Sequence, residues 1–242
     1  MPTLAGRRSS TLTAPTPVAG VAGSAAPPIM RRLREHTAAA HAATEELPLM
    51  RDLLVARPTT AGYVRYLSTL HAVYLAVEPA LYAALPAPTL TRLGIAPKLP
   101  ALQEDLLALT ATSKYAATLL PDPGVCNSVR GLLDRAHPHR AAAALGGLYV
   151  LEGATLGGQV IARHLRTHWA SDAEPPTAFL DFRAAQPGHG WRAFGAAVTA
   201  WTEQHPDAER AILDGALAIF EMMHAAFAAA GQKTTEDTTA NP

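Results

Sequence analysis

The sequence predicts an all-α domain, and three observations carry that prediction. Apolar residues recur at spacings of three and four, the helical period, in one segment after another. Nowhere does an alternating apolar and polar pattern with β-branched residues persist, and no 20–50-residue repeat occurs. Alanine and leucine dominate while aromatic residues make up only 6%, a composition that favours helix. With 242 residues and 49% hydrophobic content, the chain can bury one sizeable core. About six to eight helices are expected in a single multi-helix domain over residues 29–230.

Taken in order, residues 1–28 hold Pro, Ser, Thr, Gly and small residues with Arg7 and Arg8 as their charges, and read as a disordered tail. Met30, directly before Arg31 and Arg32, offers an alternative start. Leu33, Thr37, Ala40, Thr44 and Leu47 form one helical face that ends at Pro48. Residues 59–84 place Tyr63, Tyr66, Leu67, Leu70, Tyr74, Val77 and Leu81 at similar spacing, with Pro79 expected to kink or break the helix. A Pro-containing loop is expected at 86–100, an amphipathic helix at 101–119 and a turn at Pro121–Gly124. A long helix follows at about 139–168, then a Pro-rich loop, a helix at about 188–204, a break at His205–Pro206 and a last helix at about 207–230. Residues 231–242 are polar and read as a disordered C-terminal tail.

Charge and cysteine content narrow the function. Twenty Lys and Arg balance twenty Asp and Glu, so the chain has no general attraction for nucleic acid or for an anionic membrane. Glu152 interrupts the best candidate for a membrane span, and no span is expected. Cys126 is the single cysteine, which excludes an internal disulfide and fits a reducing, cytoplasmic compartment. Glu221-Met-Met-His224 is the one Glu-x-x-His motif, too few for a di-iron bundle.

The most informative stretch is residues 144–165, with Gly146, Gly147, Gly153, Gly157 and Gly158 inside a helical pattern. Each interior glycine costs about 1 kcal/mol relative to alanine, so close approach of something to the backbone must offset the loss. Gly146, Gly153 and Gly157 share one face. That strip suits either a closely packed helix or a flat ligand, and spacing alone leaves both open. In the first helix, His41 is expected on the buried stripe, with Glu45 one turn on and able to accept an imidazole N–H; such a pair fixes the tautomer of a metal-ligating histidine. A lone His–Glu pair on a helix surface is the ordinary alternative.

The two motifs LREHTAAAHAATE and LEGATLGGQV, about 110 residues apart, together resemble the haem oxygenase family, most closely its bacterial branch associated with phytochrome biosynthesis. The resemblance covers roughly residues 30–230, with weaker support from YVRYLSTLHAVYLAVEPAL and from the WRAF and HPDAERAILDGALAIF segments. It implies an all-helical fold in which haem b, both cofactor and substrate, is clamped between a proximal and a distal helix. It implies O2- and reductant-dependent cleavage to biliverdin, carbon monoxide and ferrous iron, supplying biliverdin chromophore or iron. Electrons would come from an external ferredoxin or reductase, and a bacteriophytochrome apoprotein is the implied acceptor of biliverdin. His41 matches the axial iron ligand and Glu45 its carboxylate partner. Gly153, Gly157 and Gly158 match the distal glycines, Arg34 and Arg192 match basic positions facing the propionates, and Phe220 matches an aromatic of the pocket wall. Tyr149, within a turn of Gly153, is a candidate for the haem edge. The sequence departs from the family pattern at Ala154, where many members carry an aspartate that organises distal water, and at Ala196, in place of a second basic residue. His71 is the candidate substitute for the missing carboxylate, and Glu152 is expected to point away from the site. The rival reading is a non-degrading haem carrier or sensor on the same fold.

Overall fold

In a computed structural model, residues 28–54, 58–111, 122–169, 174–182 and 190–239 are described, the last seven of these by backbone alone. Among them are nine α-helices, one 3-10 turn and no strand. Residues 1–27, 55–57, 112–121, 170–173, 183–189 and 240–242 lie outside the described residues, and so do the expected tail up to residue 27 and the part of the expected 101–119 helix beyond Ala111.

Helix α1 (Ile29–Glu45) buries Ile29, Leu33, Thr37 and Thr44, a four-and-three stripe that is the hydrophobic period read in space. Pro48 opens a second helix, α2 (Pro48–Leu54), because a proline in the first turn gives up no helical hydrogen bond. Helix α3 (Thr60–Ala83) starts at Thr59, whose side chain accepts the Gly62 N–H. It passes through Pro79 without breaking, contrary to expectation. Pro79 lies on an exposed face, where water can solvate the carbonyl it leaves without a donor.

The expected loop at 86–100 contains a short helix, α4 (Ala87–Leu93), stopped by Gly94 with φ of 60°. Helix α5 (Leu99–Ala111) follows. The expected turn at Pro121–Gly124 is instead a helix start: the Asp122 carboxylate accepts the Val125 N–H at 3.0 Å, and Pro123 and Gly124 form the first turn of α6 (Pro123–Arg135).

Helix α7 (Arg140–His168) is buried continuously from Ala142 to Glu152. Helix α8 (Trp191–Gln204), the 3-10 turn Pro206–Ala208 and helix α9 (Glu209–Thr239) complete the chain. α9 runs past residue 230, where the sequence reading ended it. It packs along α7 and α1 and also meets α2, α3 and α6. One segment, Pro206–Gln232, is long and apolar enough by length and mean hydropathy to cross a membrane, a test that a core helix also passes. Its apolar face is used here on neighbouring helices, with Ile212, Ala216, Ile219, Met223 and Phe227 buried.

The α7–α9 crossing explains part of the glycine strip. A Cβ on Gly146 would lie 1.9 Å from the Ile212 carbonyl oxygen, and one on Gly215 would lie 2.2 Å from that of Ala143. Two backbones touch there, and glycine is required on both sides.

Candidate functional site

The two halves of the α7 glycine strip do different work. Gly146 is sealed against α9, whereas a Cβ on Gly157 would meet nothing within 4 Å and one on Gly153 would meet only the Trp191 ring at 3.6 Å. Two to three turns further along the same face, the strip leaves the core and becomes the wall of a cavity of about 750 Å³. A void of that size, walled mainly by apolar groups, is in the range of cofactor sites. Gly158 also borders the cavity, but its Cβ would point at Leu180, 3.2 Å from that carbonyl oxygen.

Helix α1 forms the facing wall through Arg34, Thr37, Ala38, His41, Thr44 and Glu45. Leu33 and Thr37 anchor α1 in the core, and a step of four from Thr37 brings His41 to the cavity. His41 therefore lines an open wall; it is exposed, not on the buried stripe as expected. Its Nδ1 stands 3.6 Å from a Glu45 carboxylate oxygen, an ion-pair distance longer than a hydrogen bond. Its ring meets the Phe220 ring edge-on, with centroids 5.6 Å apart. Glu45 and Phe220 thus hold the imidazole from two sides and leave Nε2 as the nitrogen that Glu45 does not engage.

One end of the cavity is polar. Arg34 is the one Lys or Arg lining it among the described residues. Tyr149 is nearly buried, hydrogen-bonds Thr37 beside Arg34 and packs against Trp191 at 5.3 Å; burial raises its hydroxyl pKa above the ordinary tyrosine value. The other end is apolar, made by Met50, Leu54, Tyr66, Leu70 and Phe227, with Tyr66 and Phe227 stacked at 5.6 Å.

Around this one cavity the structure gathers eight of the residues singled out from sequence: Arg34, His41, Glu45, Tyr149, Gly153, Gly157, Gly158 and Phe220. Two others lie elsewhere. His71 is buried one position past Leu70, about 100° around α3, and its Nε2 lies 3.4 Å from the Gln103 amide nitrogen of α5, behind the cavity wall. Arg192 is exposed and does not line the cavity; its neighbour Trp191 does, because the first turn of α8 presents position 191 inward. Ala154 does line it, so the missing carboxylate leaves a methyl group on the α7 side.

Sequence reasoning missed Trp191, Tyr66, Leu156 and Val160 as lining residues. Leu156 and Val160 are 42% and 54% exposed. Gly153, Leu156, Gly157 and Val160 follow an i, i+3, i+4, i+7 pattern, the signal that could have found the last two. No group of three or more His, Cys, Asp or Glu that could hold a metal ion occurs among the described residues.

The fit is to a flat, largely apolar molecule with acidic groups at one end: a bare helix face opposite an oriented histidine, with an arginine at the polar end. A family model for Heme oxygenase matches residues 28–229. The chain belongs to the haem oxygenase family. Solved structures of the family share its fold. A haem oxygenase from Leptospira interrogans superposes with a TM-score of 0.67 at 19% identity, over 84% of this chain and 99% of its own. Haem oxygenase 1 from the cyanobacterium Synechocystis, in complex with haem, gives 0.64 at 20%, over 88% and 98%. Haem oxygenase 2 from Chlamydomonas reinhardtii, without haem, gives 0.60 at 19%, over 83% and 96%. No curated protein matches in sequence.

Proposed function

We propose that this chain binds haem b in the cavity between α1 and α7 and cleaves it to biliverdin, carbon monoxide and ferrous iron, with electrons from an external ferredoxin or reductase. The single observation that carries the reading is the opposition of His41, flanked by Glu45 and Phe220, to the bare Gly153–Gly157 face of α7 across one cavity. Haem supplies the iron at which dioxygen is activated and is itself the molecule cleaved.

Each residue role follows from its place. His41 would hold the haem iron through Nε2, because the Glu45 carboxylate beside Nδ1 favours the tautomer that leaves Nε2 free to bind. Phe220 restrains rotation of the ring. Arg34 would pair with the propionates and so orient the molecule, with Tyr149 and Thr37 completing the polar end. Gly153 and Gly157 keep side chains off the opposite face and would leave room there for a small molecule beside a bound ring. Leu156, Val160 and Ile161 exclude bulk water from that side. A bacteriophytochrome apoprotein as acceptor of the biliverdin belongs to the same proposal.

A second reading, a carrier or sensor that binds haem without degrading it, is favoured by one observation. Among the described residues, Glu45 is the one carboxylate lining the cavity, and it lies on the His41 side; the α7 side presents Ala154 and glycine. Proton delivery there would have to come through water. Titration of the purified chain with haem, followed by air and a ferredoxin system, separates the readings. A Soret band that decays into broad biliverdin absorption supports cleavage, a persistent oxygenated spectrum supports the carrier, and no Soret band overturns both. His41→Ala is expected to lose the wild-type form of the band, and imidazole added to that variant is expected to restore it.

A further inference from the structure

Behind the cavity wall lies a charged cluster that the site itself does not use. Lys98, between α4 and α5, is 1% exposed, and its ammonium pairs with the Glu152 carboxylate of α7, which is also buried. The ammonium stands 5.5 Å from the centre of the Phe182 ring. Glu78 of α3 accepts the backbone N–H groups of Lys98 and Leu99 at 2.8 and 3.0 Å, which holds Lys98 in place and caps the start of α5. Tyr74, also on α3, donates its hydroxyl to the Leu151 carbonyl at 3.3 Å. Thr155 donates to the Glu152 carbonyl at 2.7 Å.

These bonds converge on a single turn of α7, residues 151–155, and the residue that follows Glu152 is Gly153. A buried ion pair is weak evidence for stability, since two desolvated charges roughly cancel their own attraction. It does fix geometry, because each charge left without the other in a low-dielectric interior is costly. The helix beyond it needs fixing: it carries glycine at 153, 157 and 158, and interior glycines allow a helix to bend.

We infer that Lys98 and Glu152, held by Glu78 and Tyr74, are positioning residues that pin the back of α7 and so set the height of its Gly153–Gly157 face above a bound ring. The inference rests on the haem reading for its consequence, but the restraint on α7 is a property of the chain alone. The test is the double variant Lys98→Met/Glu152→Met, which removes both charges together and keeps the volume filled. The urea midpoint is expected to stay near the wild-type value. Hydrogen exchange of amides 153–161 without haem is expected to rise by about tenfold or more, while the central amides of α3 stay protected. In the haem-loaded protein supplied with air and the ferredoxin system, the rate of carbon monoxide release is expected to change by about tenfold or more. Wild-type exchange at 153–161 with wild-type release would overturn the inference, and so would a uniform rise across α3, α5 and α7. If the double variant does not fold, Glu152→Gln, which keeps the shape and a hydrogen bond but leaves the Lys98 charge unpaired, is read by the exchange and release comparisons alone, with a lower urea midpoint expected. Failure of the wild-type chain to give a Soret band would remove the haem reading and leave the exchange comparison to decide this one.

Discussion

Replacing Gly157 by alanine separates what this residue costs the fold from what it gives the site. A Cβ at position 157 would meet no atom within 4 Å, so nothing in the chain opposes it. The substitution should recover the helix-interior penalty of glycine, about 1 kcal/mol. In a domain of this size, that raises the unfolding midpoint by about 2–4 °C. The same methyl group projects into the cavity, and against a ring seated there it acts as overpacking, for which about 1–3 kcal/mol is typical. Haem affinity should therefore fall by about 5- to 150-fold even as the haem-free protein becomes more stable. Thermal unfolding by circular dichroism without haem, and a Soret titration, measure the two effects. Gly146→Ala is the control with the opposite sign. Its Cβ would lie 1.9 Å from the Ile212 oxygen, where carbon and carbonyl oxygen need about 3.3–3.6 Å, so α7 and α9 must part and several kcal/mol should be lost. A Gly157→Ala protein that is no more stable, and binds haem as tightly as wild type, would refute the reasoning.

Other outcomes follow from the same geometry. Arg34→Glu should weaken haem binding by about tenfold or more, and more so at low ionic strength, because it reverses the lining charge at the polar end. Asp105, buried on α5, accepts the backbone N–H groups of Ala178 and Phe179, and burial pushes its carboxyl up to about 6 from 3.8. The folded chain then holds that proton more tightly than the unfolded chain does. Its contribution to stability is fully present below pH 3.8 and is lost as pH rises through about 6. Urea midpoints measured across that window should show a downward contribution that Asp105→Asn removes; an identical pH profile in the variant would count against it. Glu78, also raised by burial, adds in the same direction.

Much of the helical layout was legible because it follows from local physics. The Leu33–Thr37–Thr44 stripe, the break at His205–Pro206 and the long glycine-bearing helix each rest on periodicity or on what proline does to a backbone. Prolines also produced the errors. Pro48 does follow the end of the first helix but also starts another, Pro123 sits in an expected turn and starts a helix, and Pro79, expected to kink or break its helix, does not break it and lies on an exposed face. Proline's effect depends on whether the missing N–H belonged to a first turn or to an interior one, and on whether water reaches the freed carbonyl. His71 and Arg192 were placed at the site by motif position, yet each is one residue away from a side chain that lines it; one step on a helix is about 100°, enough to turn a side chain from cavity to core or solvent.

By itself, the sequence determined the longer helices (though not α2, α4 or α6), which of their faces are apolar, and that one helix carries more glycine than helix propensity allows. It also paired an α1 histidine with a carboxylate one turn later. Only the tertiary structure decided that the glycine strip is divided, Gly146 serving a helix crossing and Gly157 a cavity, since that depends on where α9 ends its contact with α7. Only it turned Lys98, an unremarked residue in a short connection, into the buried partner of Glu152. The periods of a helix are local, but burial of a charge and the opening of a cavity depend on which distant segments meet, and that is settled by packing.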